Sequence, residues 1–340
     1  MVWGRGKLVG PKTVEVSDGQ GVVRVMRSEV IVMCTGSEAV VPNITGLKEA
    51  EPLTHVGLLE LEELPQHLII LGGGYVGLEF AQGMRRFGAK VTLVEHNEHV
   101  LKREDKDVSA VMQQVLGREG VTVMTSTTLT SVSGSSGKIV TLKGKDSASG
   151  MPITIIGSHI LCAAGRTANT GNLGLDLTGV KLTDTGFVAV NEHLQTSAPG
   201  IFATGDCARS PQFTHMGFED FHIVRENLTG SGNGGNASNQ SSNRRSARQV
   251  PSTLFTDPQL VHVGLREHET KAQGEGDTTG FAKALISNED DTILGFTAIG
   301  VEAGELLPVV QLAMQKSLAY MDVAELIIVH PTFNEGLNYL

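Results

Sequence analysis

Cysteine is scarce in this 340-residue chain, and the three present, Cys34, Cys162 and Cys207, lie far apart. There is no C-x-x-C or other close pair. An odd, scattered set argues against a disulfide framework, and each thiol follows an apolar run, as buried, inert cysteines do. Basic clusters are also few. With a net charge of -10, nucleic acid is not an expected partner. No apolar run approaches the roughly 20 residues of a membrane span, and residues 1–10 lack a signal-peptide core. The expected setting is therefore cytoplasmic, with no membrane partner, and no metal ligands are assigned. What is present is ordinary for a soluble chain: 40% hydrophobic and 19% charged residues, long enough for two or three domains.

One stretch organises the rest: Leu68-Ile69-Ile70-Leu71-Gly72-Gly73-Gly74-Tyr75-Val76-Gly77. Four apolar residues without alternation suit a strand buried on both faces of a parallel sheet. The glycines fit G-x-G-x-x-G at Gly72, Gly74 and Gly77. Gly72 allows a tight turn, Gly74 lets a diphosphate approach the backbone, and Gly77 lets the next helix pack on the strand. That helix is expected from Val76, Phe80, Met84 and Phe87 at helical spacing, with Gly88 as its stop. A second strand, Lys90-Val91-Thr92-Leu93-Val94, ends in Glu95, 23 positions after Gly72, where such folds place an acid on the ribose hydroxyls. The alternative is a glycine-rich strand-to-helix turn of another α/β fold. A carboxylate there would repel a 2′-phosphate, so NADH is favoured over NADPH, with Lys102 and Arg103 nearby tempering the preference.

Upstream, residues 14–16 and 22–25 read as short strands, and residues 30–37 as a buried strand ending at Thr35-Gly36. A short acidic helix is expected over residues 58–64. Downstream come a second helix over 105–118, a third strand over 121–124, a β-rich excursion over 133–154, and a returning strand that ends at Ala164-Gly165-Arg166. Residues 200–208 form an apolar strand ending in Thr204-Gly205-Asp206, which puts a carboxylate at the carboxyl end of a sheet, where ligands of such folds sit; alone, the tripeptide could be an ordinary turn. A helix is expected over 218–228. Residues 230–249 collapse to Gly, Asn and Ser and read as a flexible insert whose arginines are a solvating tail by default, with a docking patch as the alternative. Residues after 250 read as an α+β module separate from the nucleotide-binding core.

Taken together, Thr35-Gly36, the Gly72 to Gly77 fingerprint with Glu79, Ala164-Gly165-Arg166, Thr204-Gly205-Asp206 and His330-Pro331-Thr332 with Glu335 resemble the flavoprotein pyridine nucleotide-disulfide oxidoreductases. Gln212-Phe213-Thr214-His215, Phe221-His222-Ile223-Val224-Arg225 and Gly336-Leu337-Asn338 look most like the mercuric-reductase-related branch that includes the reactive-chlorine-resistance reductase. The resemblance implies an α/β architecture: a Rossmann-type NAD-binding domain (65–166) inserted in a partial FAD-binding domain (1–64 and 167–229). The insert (230–249) and an α+β dimerisation domain (250–340) follow. It implies FAD and NAD as cofactors and a homodimer. Hydride passes to the flavin and electrons go on to a small-molecule, metal or thiol/disulfide acceptor. By resemblance Asp206 would bind the ribityl chain, amides after Thr214, including that of His215, would face the flavin pyrimidine, and Glu79 would lie near the flavin edge. His330 would be the acid/base for thiols across the dimer interface, with Glu335 orienting it. From the residues alone, His330 reads as a buried histidine in a tight turn.

The chain departs from that family in three features: no initial FAD-binding glycine loop, no C-x-x-x-x-C pair and no flavin-side lysine. Residues 265–280 also stand where a longer stretch with another strand is usual, which puts the interface sheet in question. The sequence is therefore expected to be an incomplete flavin enzyme, through truncation or a misplaced gene start, lacking vicinal C-terminal cysteines for mercury reduction. The alternative is a non-catalytic dinucleotide-binding or dimerising module derived from the family.

Overall fold

The computed structural model describes residues 1–19, 21, 23–229, 244–269, 281–328 and 332–339. The chain divides into two units, Met1–Glu38 with Arg166–Val250, and Ala39–Gly165 with Pro251–Leu340.

In the second unit the apolar run becomes the strand His67–Leu71, the second of a four-stranded parallel sheet. Its neighbours are His159–Cys162 and Lys90–Val94, and Thr122–Met124 follows at the edge. Leu68, Ile69 and Ile70 are wholly buried, as a strand covered on both faces must be. Helices Tyr75–Arg86 and Lys106–Arg118 and an antiparallel meander of Thr127–Gly134, Val140–Asp146 and Pro152–Gly157 complete this layer.

The first of those helices does not bury the expected stripe. Val76 and Phe87 are exposed, and the buried face is Gly77, Leu78, Ala81 and Gln82, with Phe80 and Met84 at its margin. Small residues win the inner face because the helix sits close to the strand and turn that precede it.

Residues 45–64, expected on the flavin side, pack on the Rossmann sheet instead. Leu53 donates its N–H to Ile160 and accepts from Cys162, and Leu47, Ala50 and Leu58 are buried in this unit's cores. The short helix falls at His55–Leu59, ahead of the acidic residues that were expected to form it.

Nor is the C-terminal module separate. Its four-stranded antiparallel sheet runs in the order Ser252–Leu254, Gln259–Gly264, Ile293–Gly300, Phe281–Ile286. Leu254, Leu260 and Ile299 share a core with Leu78, Ala81 and Leu116. Its far side has its own core around Phe296, Leu307, Val310 and Val323, the last from a helix, Tyr320–Ala324, not foreseen from the sequence. Residues 270–280 lie outside the described residues.

The first unit is built on a three-stranded antiparallel sheet, Arg5–Gly10, Thr13–Ser17 and Val23–Arg27, and a parallel pair, Ile31–Met33 with Ile201–Ala203. Thr214–Thr229 is its long helix. Residues 230–243 of the expected flexible insert lie outside the described residues. Residues 244–249 are not a loose tail: Arg245–Ala247 forms a 3₁₀ turn tied to Glu192, with Arg245 N–H on its carbonyl and Ser246 N–H on its carboxylate. Among the described residues no helix is long and apolar enough to cross a membrane.

Candidate functional sites

The three glycines of the fingerprint do three different things. Gly72 has φ +115°, and a Cβ there would lie 2.4 Å from the Ala163 carbonyl oxygen. A Cβ on Gly77 would lie 2.0 Å from the Gly72 carbonyl oxygen, so the helix can lie this close only without a side chain. Gly74 is exposed, and a Cβ there would meet nothing within 4 Å. Gly74 also caps the helix in extended conformation, with no side-chain cap. The helix dipole adds partial positive charge at this end. The open position at Gly74, at the positive end of this helix, fits the approach of a dinucleotide diphosphate.

Glu95 stands beside this loop. It is buried, with one carboxylate oxygen accepting the Gly73 N–H at 2.6 Å and the other accepting from the backbone (2.7 Å) and side chain (2.5 Å) of Asn97. Position alone did not reveal this backbone tie. His96 Nδ1 also lies 3.0 Å from the oxygen that Asn97 holds, so the acceptor capacity left for a ribose hydroxyl is on Oε2, which among the described residues takes only the Gly73 amide.

Tyr75 is anchored away from the loop. Its hydroxyl donates to Glu104 Oε1 at 3.1 Å and lies 3.2 Å from Ser252 Oγ, while Arg266 grips Glu104 through two bonds of 2.9 Å. Burial, then the Glu104 charge, pushes the phenol far above its usual range. Glu79 is half-buried and accepts the Phe255 N–H at 2.9 Å; burial raises its carboxyl, and that bond pulls partly back. Next to Glu104, buried Asp105 receives the Lys283 ammonium at 2.9 Å and His268 Nδ1 at 2.6 Å. Burial alone would raise that carboxyl; Lys283, His268 and two backbone amides outweigh it and hold it well below the usual range. In sequence this group reads only as a charged lead into a helix.

In the first unit, the parallel pair brings its carboxyl ends together. Thr204 N–H bonds to the Met33 carbonyl, and Cys34 Sγ lies 3.0 Å from Thr204 Oγ1. Ser37 hydroxyl donates to Asp206; Arg166 donates to Ser37 Oγ and to its carbonyl, each at 2.6 Å, and lies 3.6 Å from Asp206 Oδ2. Ser37 was not foreseen. Gly36 and Gly205 both have positive φ, and a Cβ at either would meet nothing within 4 Å. The Thr35 hydroxyl oxygen is buried with no hydrogen-bond partner among the described residues. An orphaned buried hydroxyl beside open Gly36, on a strand pair whose other carboxyl end carries open Gly205 and partly exposed Asp206, fits a polar cofactor such as the ribityl portion of FAD. Thr214 and His215 are exposed at the start of the long helix, with His215 stacked on Phe213 at 5.3 Å. Gly165 is exposed, with φ +124° and its carbonyl accepting the Val40 N–H. His330 lies outside the described residues; Glu335 falls in the 3₁₀ segment Phe333–Tyr339.

These features define a two-cofactor oxidoreductase fold, and comparison with known proteins agrees. Residues 1–220 match the family model for pyridine nucleotide-disulphide oxidoreductase, and residues 270–340 match that family's dimerisation domain. Mitochondrial dihydrolipoyl dehydrogenase of Dictyostelium discoideum is 31% identical over 98% of this chain and 70% of its own length. The probable pyridine nucleotide-disulfide oxidoreductase RclA of Escherichia coli is 29% identical over 99% of this chain and 77% of its own. A copper(II) complex of a mutant of that HOCl-induced flavoprotein disulfide reductase superposes with a TM-score of 0.87 at 28% identity, covering 99% and 77% of the two chains. The chain belongs to the pyridine nucleotide-disulphide oxidoreductase family, whose members are FAD-dependent oxidoreductases that use NAD(P)H.

Proposed function

We propose that this chain takes hydride equivalents from NADH, in preference to NADPH, at the Gly72–Gly77 loop and hands electrons through FAD to an acceptor outside the chain. The observation that carries the nucleotide preference is Glu95, a buried carboxylate tied to the Gly73 amide at 2.6 Å. A 2′-phosphate placed there would meet a fixed negative charge in a poorly solvated site. Bound flavin supplies the two-electron relay between nicotinamide and acceptor. Thr35, Gly36, Arg166, Gly205 and Asp206 would hold its polar ribityl portion, and the start of the helix at Thr214 and His215 would face its ring.

The acceptor is a small molecule, a metal or a thiol/disulfide. The match to a dimerisation domain supports a homodimer, in which His330 with Glu335 would act as acid/base. A cytoplasmic location belongs to the same proposal, as does the expected domain division except for residues 45–64 and the separateness of residues 250–340.

Isothermal titration with NADH and NADPH tests the preference. NADH should bind at least about tenfold more tightly, a difference of about 1.4 kcal/mol. Glu95→Ala should narrow the gap mainly by improving NADPH. Equal affinities in the unaltered protein would refute the preference.

A further inference from the structure

Asp220 is wholly buried and charged, which is costly unless something requires it. Its Oδ2 accepts the Gly205 N–H and the Ser210 hydroxyl, each at 2.6 Å, and its Oδ1 accepts Arg248 Nη1 at 2.5 Å. Arg248 is itself 6% exposed and also reaches Ser210 Oγ at 3.3 Å. A second arginine from the same segment, Arg245, donates to the carbonyls of Ala208 (3.0 Å) and Arg209 (3.1 Å). These contacts converge on residues 205–210, the 3₁₀ turn Gly205–Ala208 that carries Asp206 and the two residues after it. Replacing a buried ion pair by apolar residues is often neutral for stability, so stability alone does not account for Asp220. An apolar side chain, however, could not accept the Gly205 N–H immediately before Asp206.

We propose that Asp220, clasped by Arg248, is a positioning residue that fixes the Thr204-Gly205-Asp206 turn so that Asp206 faces the cofactor. The segment 244–250 is thereby made part of that site. The inference rests on the reading of Asp206 as the flavin-side carboxylate. Asp220 and Arg248 touch no reacting atom; they act through the turn.

The test compares the full chain with Arg248→Met, Arg248→Lys and the double variant Asp220→Asn/Arg248→Met. Two readouts apply: FAD affinity by fluorescence quenching, and hydrogen exchange of the peptide spanning residues 204–210. Arg248→Met should weaken FAD binding about tenfold or more, the loss expected when a charged hydrogen bond is removed, and should speed exchange in that peptide. Arg248→Lys should restore both in large part. The double variant leaves no buried charge, so it should fold even if Arg248→Met does not. It should still bind FAD more weakly than the unaltered chain, because Asn is a poorer acceptor for the Gly205 amide. Unchanged affinity and exchange in the folded variants would overturn the proposal, as would weaker FAD binding with unchanged exchange at 204–210. If the unaltered chain takes up no FAD, the flavin reading fails. Exchange alone then decides the clasp: faster in the variants supports it, and equal rates overturn it.

Discussion

Replacing Gly77 by alanine is a severe test of the loop, because the same substitution six residues later should have the opposite sign. At Gly77 the new Cβ would sit 2.0 Å from the Gly72 carbonyl oxygen, whereas ordinary contact begins at 3.4 Å. Helix and turn would have to part by about 1.4 Å. Both sides are fixed, since Ile70, Leu78 and Ala81 are wholly buried. Such overpacking costs about 3 kcal/mol, against about 1 kcal/mol gained from replacing glycine by alanine in a helix. A net loss of about 2 kcal/mol follows. At Gly83, in the same helix, a Cβ meets nothing within 4 Å, so only the gain of up to about 1 kcal/mol remains. The two variants should therefore differ by about 3 kcal/mol in urea unfolding followed by far-ultraviolet circular dichroism. A Gly77→Ala midpoint equal to or above that of Gly83→Ala would refute the close-packed loop.

Gly74→Ala should change stability by no more than about 0.5 kcal/mol yet weaken NADH binding by titration, because the added methyl occupies the open side of the loop. In native protein, Ellman's reagent should modify Cys34 promptly and spare Cys162 and Cys207; all three should react after unfolding. Burial pushes the Cys162 thiol up to about 12 and removes the reactive thiolate, so rapid native loss of more than one thiol would contradict the packing. Asp105 is held below its unfolded pKa, so its contribution is present above about pH 4 and is lost as pH falls toward the folded value. The stability gap between the unaltered chain and Asp105→Asn should be open at pH 5 and close on further acidification, as read from urea midpoints; a gap that widened below pH 5 would contradict the ion pair with Lys283.

The parts legible in the sequence were those whose cause is local. Gly72, Gly74 and Gly77 could be told apart because turn, ligand approach and helix packing each act within a few residues. The apolar run 68–71 announced a buried strand for the same reason. What the sequence concealed depends on distant partners. Asp220 reads as one polar residue in a helical pattern until Gly205 and Arg248 are brought to it. Arg245 and Arg248 follow a low-complexity stretch and were read with it, although their partners lie 28 to 38 positions away. Spacing placed the helix stripe on Val76 and Phe87, but the small residues Gly77 and Ala81 face the strand because the close approach leaves no room for larger ones. Residues 45–64 carry no mark of which sheet they will join; Leu53 is committed only by its bonds to Ile160 and Cys162.

The visible absorbance spectrum of the purified 340-residue chain, after incubation with FAD and desalting, tests most directly whether both cofactor sites work in this polypeptide. A retained flavin band that bleaches on anaerobic addition of NADH, and much more slowly with NADPH, is the predicted result. A colourless protein that still binds NADH would contradict it and confine the chain's function to the Gly72 loop.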